Sequence, residues 1–299
     1  MINNILCEKI LGRKIDKDFE FDNLGLINTT IKNSLVFLDE EKYINQLVKN
    51  ENISGVIVGT WLIEKLPSKL ISILSDDPRW DFYSLYNYIA KENYKQRPSM
   101  ISKSAKIHQK AFISDLNVEI GDNTQIGPNV TILSDVKIGS ECIIQAGTVI
   151  GSEGFEYKRT AKGILSVFHD GEVIIKDRVE IGANTSIDKG FANRSTNIEE
   201  DVKIDNLCHI AHGVHIKRGA FIIAGTILGG STTIGENAWI SINGSIAPGL
   251  SLGKNSFVSI GSTVTRNVEE HQQVTGNFAI PHNLFLKLLK KNIEELESK

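Results

Sequence analysis

IEEDVKIDNLCHIAHGVHIKRGAFIIAGTILGGSTTIGENAWISINGSIAPGLSLGKNSFVSIGSTV, residues 198–264, carries an aliphatic residue at every sixth position. The series runs Ile198, Ile204, Ile210, Ile216, Ile222, Leu228, Ile234, Ile240, Ile246, Leu252, Val258 and Val264. Four residues after most of these stands a small or β-branched residue, among them Val202, Cys208, Val214, Ala220, Thr226, Thr232, Ala238 and Gly244. A helix would show a period near 3.6 and an ordinary strand a period of 2. A sustained period of six marks hexapeptide repeats that stack as a parallel β-helix. The expected object is a three-sided prism with one hexad per side. The aliphatic residue points inward, and the residue four later is small enough for the turn. Three hexads make one coil, so residues three hexads apart stack over one another.

The same phase extends N-terminally. Ile101, Ile107 and Ile113 are in step, and after a slip of one residue so are Ile120, Ile126, Ile132, Ile138, Ile144 and Ile150. The phase is lost over Gly151–Ile174, a stretch with aromatics, charges and glycines, and Ile175, Ile181 and Ile187 restore it. A shorter excursion, Asp188 to Asn197, precedes the long run. A long departure from a rigid scaffold is more often functional than not.

Residues 1–97 lack the hexad. Ser34–Leu38 reads as a strand, Glu40–Val48 as a helix, Gly55–Gly59 as a second strand and Lys69–Leu74 as a third. Asp77-Pro78 is a helix start, with an aromatic-rich helix continuing from Trp80 to Tyr94. Alternating strands and helices make this a small α/β domain. Arg97-Pro98 reads as a hinge, because the residue before proline is pushed to extended geometry. The prism takes 98–270, and 271–299 is a C-terminal extension. Its residues 283–299 form an amphipathic helix, with Leu284, Leu288, Leu289, Ile293 and Leu296 on one side. Such a helix is too short to stand alone and needs a partner, most simply the same helix in neighbouring subunits. The fold class is therefore mainly β: a parallel β-helix with a small N-terminal α/β domain and a C-terminal α-helix.

The 299 residues suffice for two domains. A net charge of −3 and 7% aromatics speak against a nucleic-acid partner. No apolar stretch is long enough for a signal peptide or a transmembrane segment. Three cysteines, two of them at small inward positions, argue against disulfides or a zinc cluster and place the chain in a reducing cytoplasm.

Three of the seven histidines fall in IDNLCHIAHGVH, residues 204–215. His212 takes the third position of its hexad, while His209 and His215 take the sixth. Zinc is conceivable, but the spacing does not bring three imidazoles together. An imidazole near pKa 6.5 also suits a general base at neutral pH. One coil beyond His212 lies Gly230, whose backbone N–H is open to approach, as an oxyanion donor needs. A turn glycine and surface histidines remain the plain alternatives. Phe221, Trp239 and Phe257 form an outward ladder, read as a subunit contact or as the wall of an acyl groove. No phosphate-binding loop, nucleophile elbow or zinc-protease motif occurs.

IIQAGTVIGSEGFEY (143–157), VIIKDRVEIGANTSIDKG (173–190) and VKIDNLCHIAHGVHI (202–216) resemble the lipid A pathway N-acyltransferase family that acts on UDP-3-O-acylglucosamine. The likeness runs from about Leu35 to about Pro281. It implies a left-handed coil, a hand the period does not fix and that crossover rules alone would not favour. It also implies a homotrimer with active sites between subunits. It places the general base on His212 and the oxyanion donor on Gly230. Asn206 is expected near substrate or acyl-carrier groups, and Asp205 and His209 are taken as further substrate-binding candidates. Phe37 and Tyr43 match a spacing that stacks a uracil. The acyl donor would be acyl carrier protein phosphopantetheine or CoA, as co-substrate, with no cofactor and no metal. Two departures keep alternatives open. Glu40-Glu41 replaces an Asn-Pro, and a downstream histidine expected near Gly249 is missing. These leave room for a UDP- or dTDP-amino-deoxysugar acceptor for a surface glycan with acyl-CoA. A non-catalytic scaffold is the rival of another class, and it would need neither His212 nor the Phe37/Tyr43 pair.

Overall fold

A computed structural model describes residues 1–192, 194–276 and 279–297. Residues 100–274 wind into a left-handed parallel β-helix with three flat faces. One face has eight strands, from Met100–Ile101 to Ser251–Leu252. The second has nine, from Lys106–Ile107 to Gln273–Val274, and the third eight, from Phe112–Ile113 to Thr263–Val264. The register is the one the hexad requires. Ile198 pairs with Ile216, Ile204 with Ile222 and Ile210 with Leu228.

The aliphatic column fills the prism: Ile198, Ile210, Ile216, Ile222, Leu228, Ile234 and Ile240 have no exposed surface. Burial of this kind contributes roughly 1.5–3 kcal/mol for each large aliphatic side chain. The residues four later are buried beside the column, including Thr226, Thr232, Ser256, Cys142 and Cys208. Both thiols are free, and burial pushes that of Cys208 up to about 11, so it is inert as a nucleophile at neutral pH. Ile101 is 43% exposed because no coil lies beneath the first one. Turns at the prism edges take the left-handed conformation, which explains Gly213 at φ +67° and the asparagines at 237, 243 and 255.

Apart from a bulge at Gly151, where the first excursion leaves, the aliphatic register runs on across both excursions. Ile138 pairs with Ile175, and Ile175 with Ile198, so the intervening residues are looped out. The first excursion extends the strand Val149–Glu153 and then forms an antiparallel hairpin, Tyr157–Thr160 with Gly163–Ser166.

The N-terminal unit has a parallel sheet in the order Asn23–Leu24, Ser34–Leu38, Ile53–Val58, Ile71–Leu74. The expected helix after Leu38 is a 3-10 turn, Glu41–Tyr43, followed by the α-helix Ile44–Lys49. The helix Pro78–Asn93 starts as read, with the Asp77 side chain accepting from the Trp80 N–H. A helix at Asn4–Leu11 was not anticipated by apolar spacing. Asn3 caps its start and Gly12, at φ +66°, ends it.

This unit is not hinged at Arg97-Pro98, contrary to the sequence reading. The Asn117 side chain holds the Arg97 N–H at 2.7 Å, and Pro98 bridges to Leu116. More importantly, the excursions dock on the helix Pro78–Asn93. Asn87 bonds Ser166 O and the Phe168 N–H, both at 2.8 Å, and the Tyr86 hydroxyl accepts from the Ala192 N–H. Val167 and Phe191 complete the core of the N-terminal unit beside Phe82 and Tyr86. One apolar core thus runs across the join.

The helix His282–Glu297 lies exposed along its length, with Leu284, Leu288 and Ile293 at 47%, 52% and 45%. Phe221, Trp239 and Phe257 stack up one face, with ring centroids 5.2 and 6.3 Å apart. Among the described residues no helix is long and apolar enough to cross a membrane.

Candidate active site

His212 projects outward from the edge between the His209–Ile210 and His215–Ile216 strands. The excursions cover it, leaving its side chain 15% exposed. Gly154 presses on one side of the imidazole: a Cβ there would lie 2.8 Å from Cδ2. Phe191, from the second excursion, packs edge-on with centroids 5.2 Å apart, and His169 lies 6.1 Å away.

Gly230 lies on the other side. A Cβ on it would fall 2.5 Å from His212 Cε1 and 2.6 Å from Nε2. The coil ladder uses the N–H of Gly229, to Ile246 O, and that of Ser231, to His212 O, and passes over that of Gly230. Among the described residues that N–H has no hydrogen-bond partner, and the Gly230 main chain stands beside the imidazole. Arg194 reaches the same turn, donating to Ser231 Oγ at 2.9 Å while its guanidinium lies over Phe191.

Glu156, on the first excursion, faces His212 Nε2 with its Oε2 at 3.5 Å, and its Oε1 pairs with Lys158. Lys158 also sits 4.9 Å above the Tyr83 ring, and Tyr83 is 5.6 Å from Phe37. Side-chain contacts thus connect Phe37 in the N-terminal unit to His212 on the prism. Burial lowers the pKa of His212 below the ordinary 6.5, partly offset by Glu156, with His169 and the cations Arg194 and Lys158 acting in the same direction as burial. His169 is lowered by burial too. Neutral imidazole, the form that accepts a proton, is favoured.

The other histidines go elsewhere. His209 Nδ1 bonds Ser186 Oγ at 2.9 Å, and its Nε2 is 3.7 Å from Asp188. His215 pairs with Glu199 at 2.6 Å. Among the described residues no three His, Cys, Asp or Glu side chains are grouped to hold a metal ion.

Asp205 and Asn206 occupy the next edge of the prism, between the strands Lys203–Ile204 and His209–Ile210. Asn206 Oδ1 accepts from the Ala183 N–H of the coil below, and its Nδ2 donates to Asp205. Within one chain they do not meet His212. Phe37 packs on Phe82 and Tyr83, while Tyr43 is 38% exposed with Lys42 over its ring. Glu156, His169, Phe191 and Arg194 were not singled out from the sequence. The one available signal was the pair of phase breaks that contain them.

Residues 117–152 match the bacterial transferase hexapeptide family of six repeats. Over 96% of its length the chain is 29% identical to UDP-3-O-acylglucosamine N-acyltransferase of Helicobacter hepaticus, covering 95% of that protein. It is 30% identical to the Helicobacter pylori (strain ATCC 700392 / 26695) protein of the same name, over 71% of this chain and 69% of that one. Among solved structures, UDP-N-acetylglucosamine acyltransferase from Campylobacter jejuni superposes with a TM-score of 0.51 over 60% of this chain and 70% of that one, at 19% identity. That likeness concerns the fold. With the prism, the excursions and a shielded histidine beside a backbone donor, these relationships establish that the chain belongs to the UDP-3-O-acylglucosamine N-acyltransferase family.

Proposed function

We propose that this protein transfers an acyl group from an acyl thioester to the amine of UDP-3-O-acylglucosamine. The observation that carries the reading is the apposition of a shielded, neutral-favouring imidazole with Gly230, whose N–H has no partner among the described residues. The amine attacks the thioester carbonyl and His212 Nε2 accepts its proton. The Gly230 N–H meets the oxygen that becomes negative, and the proton passes from His212 to the departing thiolate. The thioester is carried by acyl carrier protein or CoA. Phe37 and Tyr43 flank the nucleotide base, and the N-terminal unit holds it within reach of His212 through Tyr83 and Lys158. Asp205, Asn206 and His209 contact substrate groups supplied across a subunit boundary. The enzyme works in the cytoplasm.

The test is acyl transfer with purified protein, alongside thermal shift with UDP- and dTDP-amino sugars. A UDP-amino sugar should raise the melting temperature, and one present at 100 times its Kd contributes about 2.7 kcal/mol. A response to the dTDP-amino sugar alone would move the acceptor to the amino-deoxysugar class. No response and no turnover would leave a scaffold.

The assembly proposed is a homotrimer, because the aromatic ladder and the C-terminal helix both expose apolar surface. Sedimentation should give three chains per particle at micromolar concentration. A monomer would remove the shared site, and with it the roles given to Asp205 and Asn206.

A further inference from the structure

The reaction above leaves one shielded acid without a task. Glu156 has a side chain only 12% exposed, and its backbone is fixed at both ends. Its N–H donates to Gly154 O and its C=O accepts from the Val167 N–H, each at 3.0 Å. Lys158 holds Oε1, while Oε2 points at His212 Nε2 and accepts no hydrogen bond among the described residues.

A carboxylate that orients a catalytic histidine stands on the ring nitrogen away from the substrate. Glu156 stands on the other one. Among the described residues His212 Nδ1 is buried without a partner, and Glu156 faces Nε2. A group giving its proton to Nε2 must approach to about 3 Å of it. At that point it is also within reach of Oε2.

We propose that Glu156 Oε2 forms the subsite for the acceptor's amino group and makes the site select an amine over a hydroxyl. This rests on the acyl-transfer reading. The acceptor enters as an ammonium ion, attracted by the carboxylate, and releases one proton to water. The neutral amine then has two N–H bonds to place. One points to His212 and one to Oε2, which aims the lone pair at the thioester carbon. The C–N bond forms, and the carbonyl electron pair moves to the oxygen facing Gly230. His212 takes the second proton. Collapse restores the C=O, breaks the C–S bond, and returns that proton to the thiolate. Glu156 ends as it began. A hydroxyl has a single hydrogen, which His212 needs, so a hydroxyl acceptor leaves the shielded carboxylate unpaired. That mismatch is the kind a polar site rejects strongly.

The experiment compares wild type with Glu156→Gln, using a UDP sugar with a 2-amine and its 2-hydroxyl counterpart, by calorimetry and by steady-state kinetics. Wild type should bind the amine about 10- to 100-fold more tightly than the hydroxyl compound, the range expected for a charged hydrogen bond. In Glu156→Gln that preference should vanish and acceptor kcat/KM fall by a similar factor, with the donor KM unchanged. Glu156→Asp should keep part of the preference. A preference retained in the Gln variant overturns the subsite, as does a lower kcat with unaltered acceptor binding and a shifted acid limb, which would make Glu156 a positioning residue for His212. Equal binding of the two compounds by wild type overturns it whatever the variants do, including any that misfold. A folded wild type that acylates no amino sugar overturns the acyl-transfer reading and this subsite together. An active wild type whose Gln variant still discriminates overturns the subsite alone.

Discussion

His212→Ala is expected to retain its fold and its affinity for the nucleotide sugar while losing at least about a hundredfold in turnover, since a positioned general base supplies about 10²–10⁴-fold. The fold should survive because His212 lies outside the aliphatic column, whose members are packed on one another and not on the imidazole. The cost in stability should be about 1 kcal/mol, through lost contact with Phe191 and Gly154. The pH profile carries an independent signature. Burial disfavours the charged ring, so the neutral base persists to lower pH than an exposed histidine would allow. The acid limb that His212 contributes to wild-type kcat/KM should therefore lie below the ordinary histidine value of 6.5, beneath the titration of the acceptor's own ammonium, which wild type and variant share. In the alanine variant that limb should be missing. His209→Ala and His215→Ala, whose rings serve Ser186 with Asp188 and Glu199, should cost much less. An unfolded His212→Ala would make the residue structural, and a fully active one would end its assignment as base.

Gly230→Ala should be nearly as damaging, for a different reason. Gly230 does not have a positive φ, so alanine meets no backbone strain there. Its methyl group would instead enter the imidazole, 2.5 Å from Cε1. The backbone cannot retreat easily. Gly229 and Ser231 are both tied into the ladder, and the Gly230 carbonyl accepts from Gly249. The ring cannot retreat easily either, because Gly154 closes its other side. The imidazole must tilt, and a misplacement of about 1 Å can cost about 10²-fold. We expect roughly that loss in kcat, with the melting temperature little changed. Normal turnover would show that the imidazole is free to move, or is not the base.

Much of the fold could be read from the sequence because the prism repeats one local rule. The series from Ile198 to Val264 declares its own period, and its members pair in register with residues one coil away and pack into one core. The first and last coils obey the rule in sequence but not in burial, as Ile101 shows. His212 and Gly230 could be paired in advance because they are one coil apart. Glu156, His169 and Phe191 could not, since they reach His212 from stretches where the period is broken and no spacing rule applies. The docking of Phe168 and Ala192 on Tyr86 and Asn87 joins residues far apart in sequence through side chains with no shared pattern. The resemblance marks Phe37 as a stacking ring, and the structure seats it, half-buried, against Phe82 and Tyr83, neighbours that no two-residue spacing specifies.

The coil ladder sets a unit of length for the chemistry. Parallel strands hydrogen-bond at about 4.8 Å, and the main chain at Gly230 stands one such step above that at His212. Backbone geometry, common to every coil, thus dictates how far the main chain of the proposed base stands from that of the proposed oxyanion donor. Side-chain changes elsewhere in the prism cannot stretch that distance. Whole coils gained or lost beyond this pair would move the ends of the molecule by multiples of that step and leave the reacting atoms where they are. A loss of one or two whole hexads would instead carry the histidine onto a different face, whereas a length change of another size is looped out at an edge, as both excursions are. The site is free to travel along the prism in discrete jumps, and is forbidden every position in between.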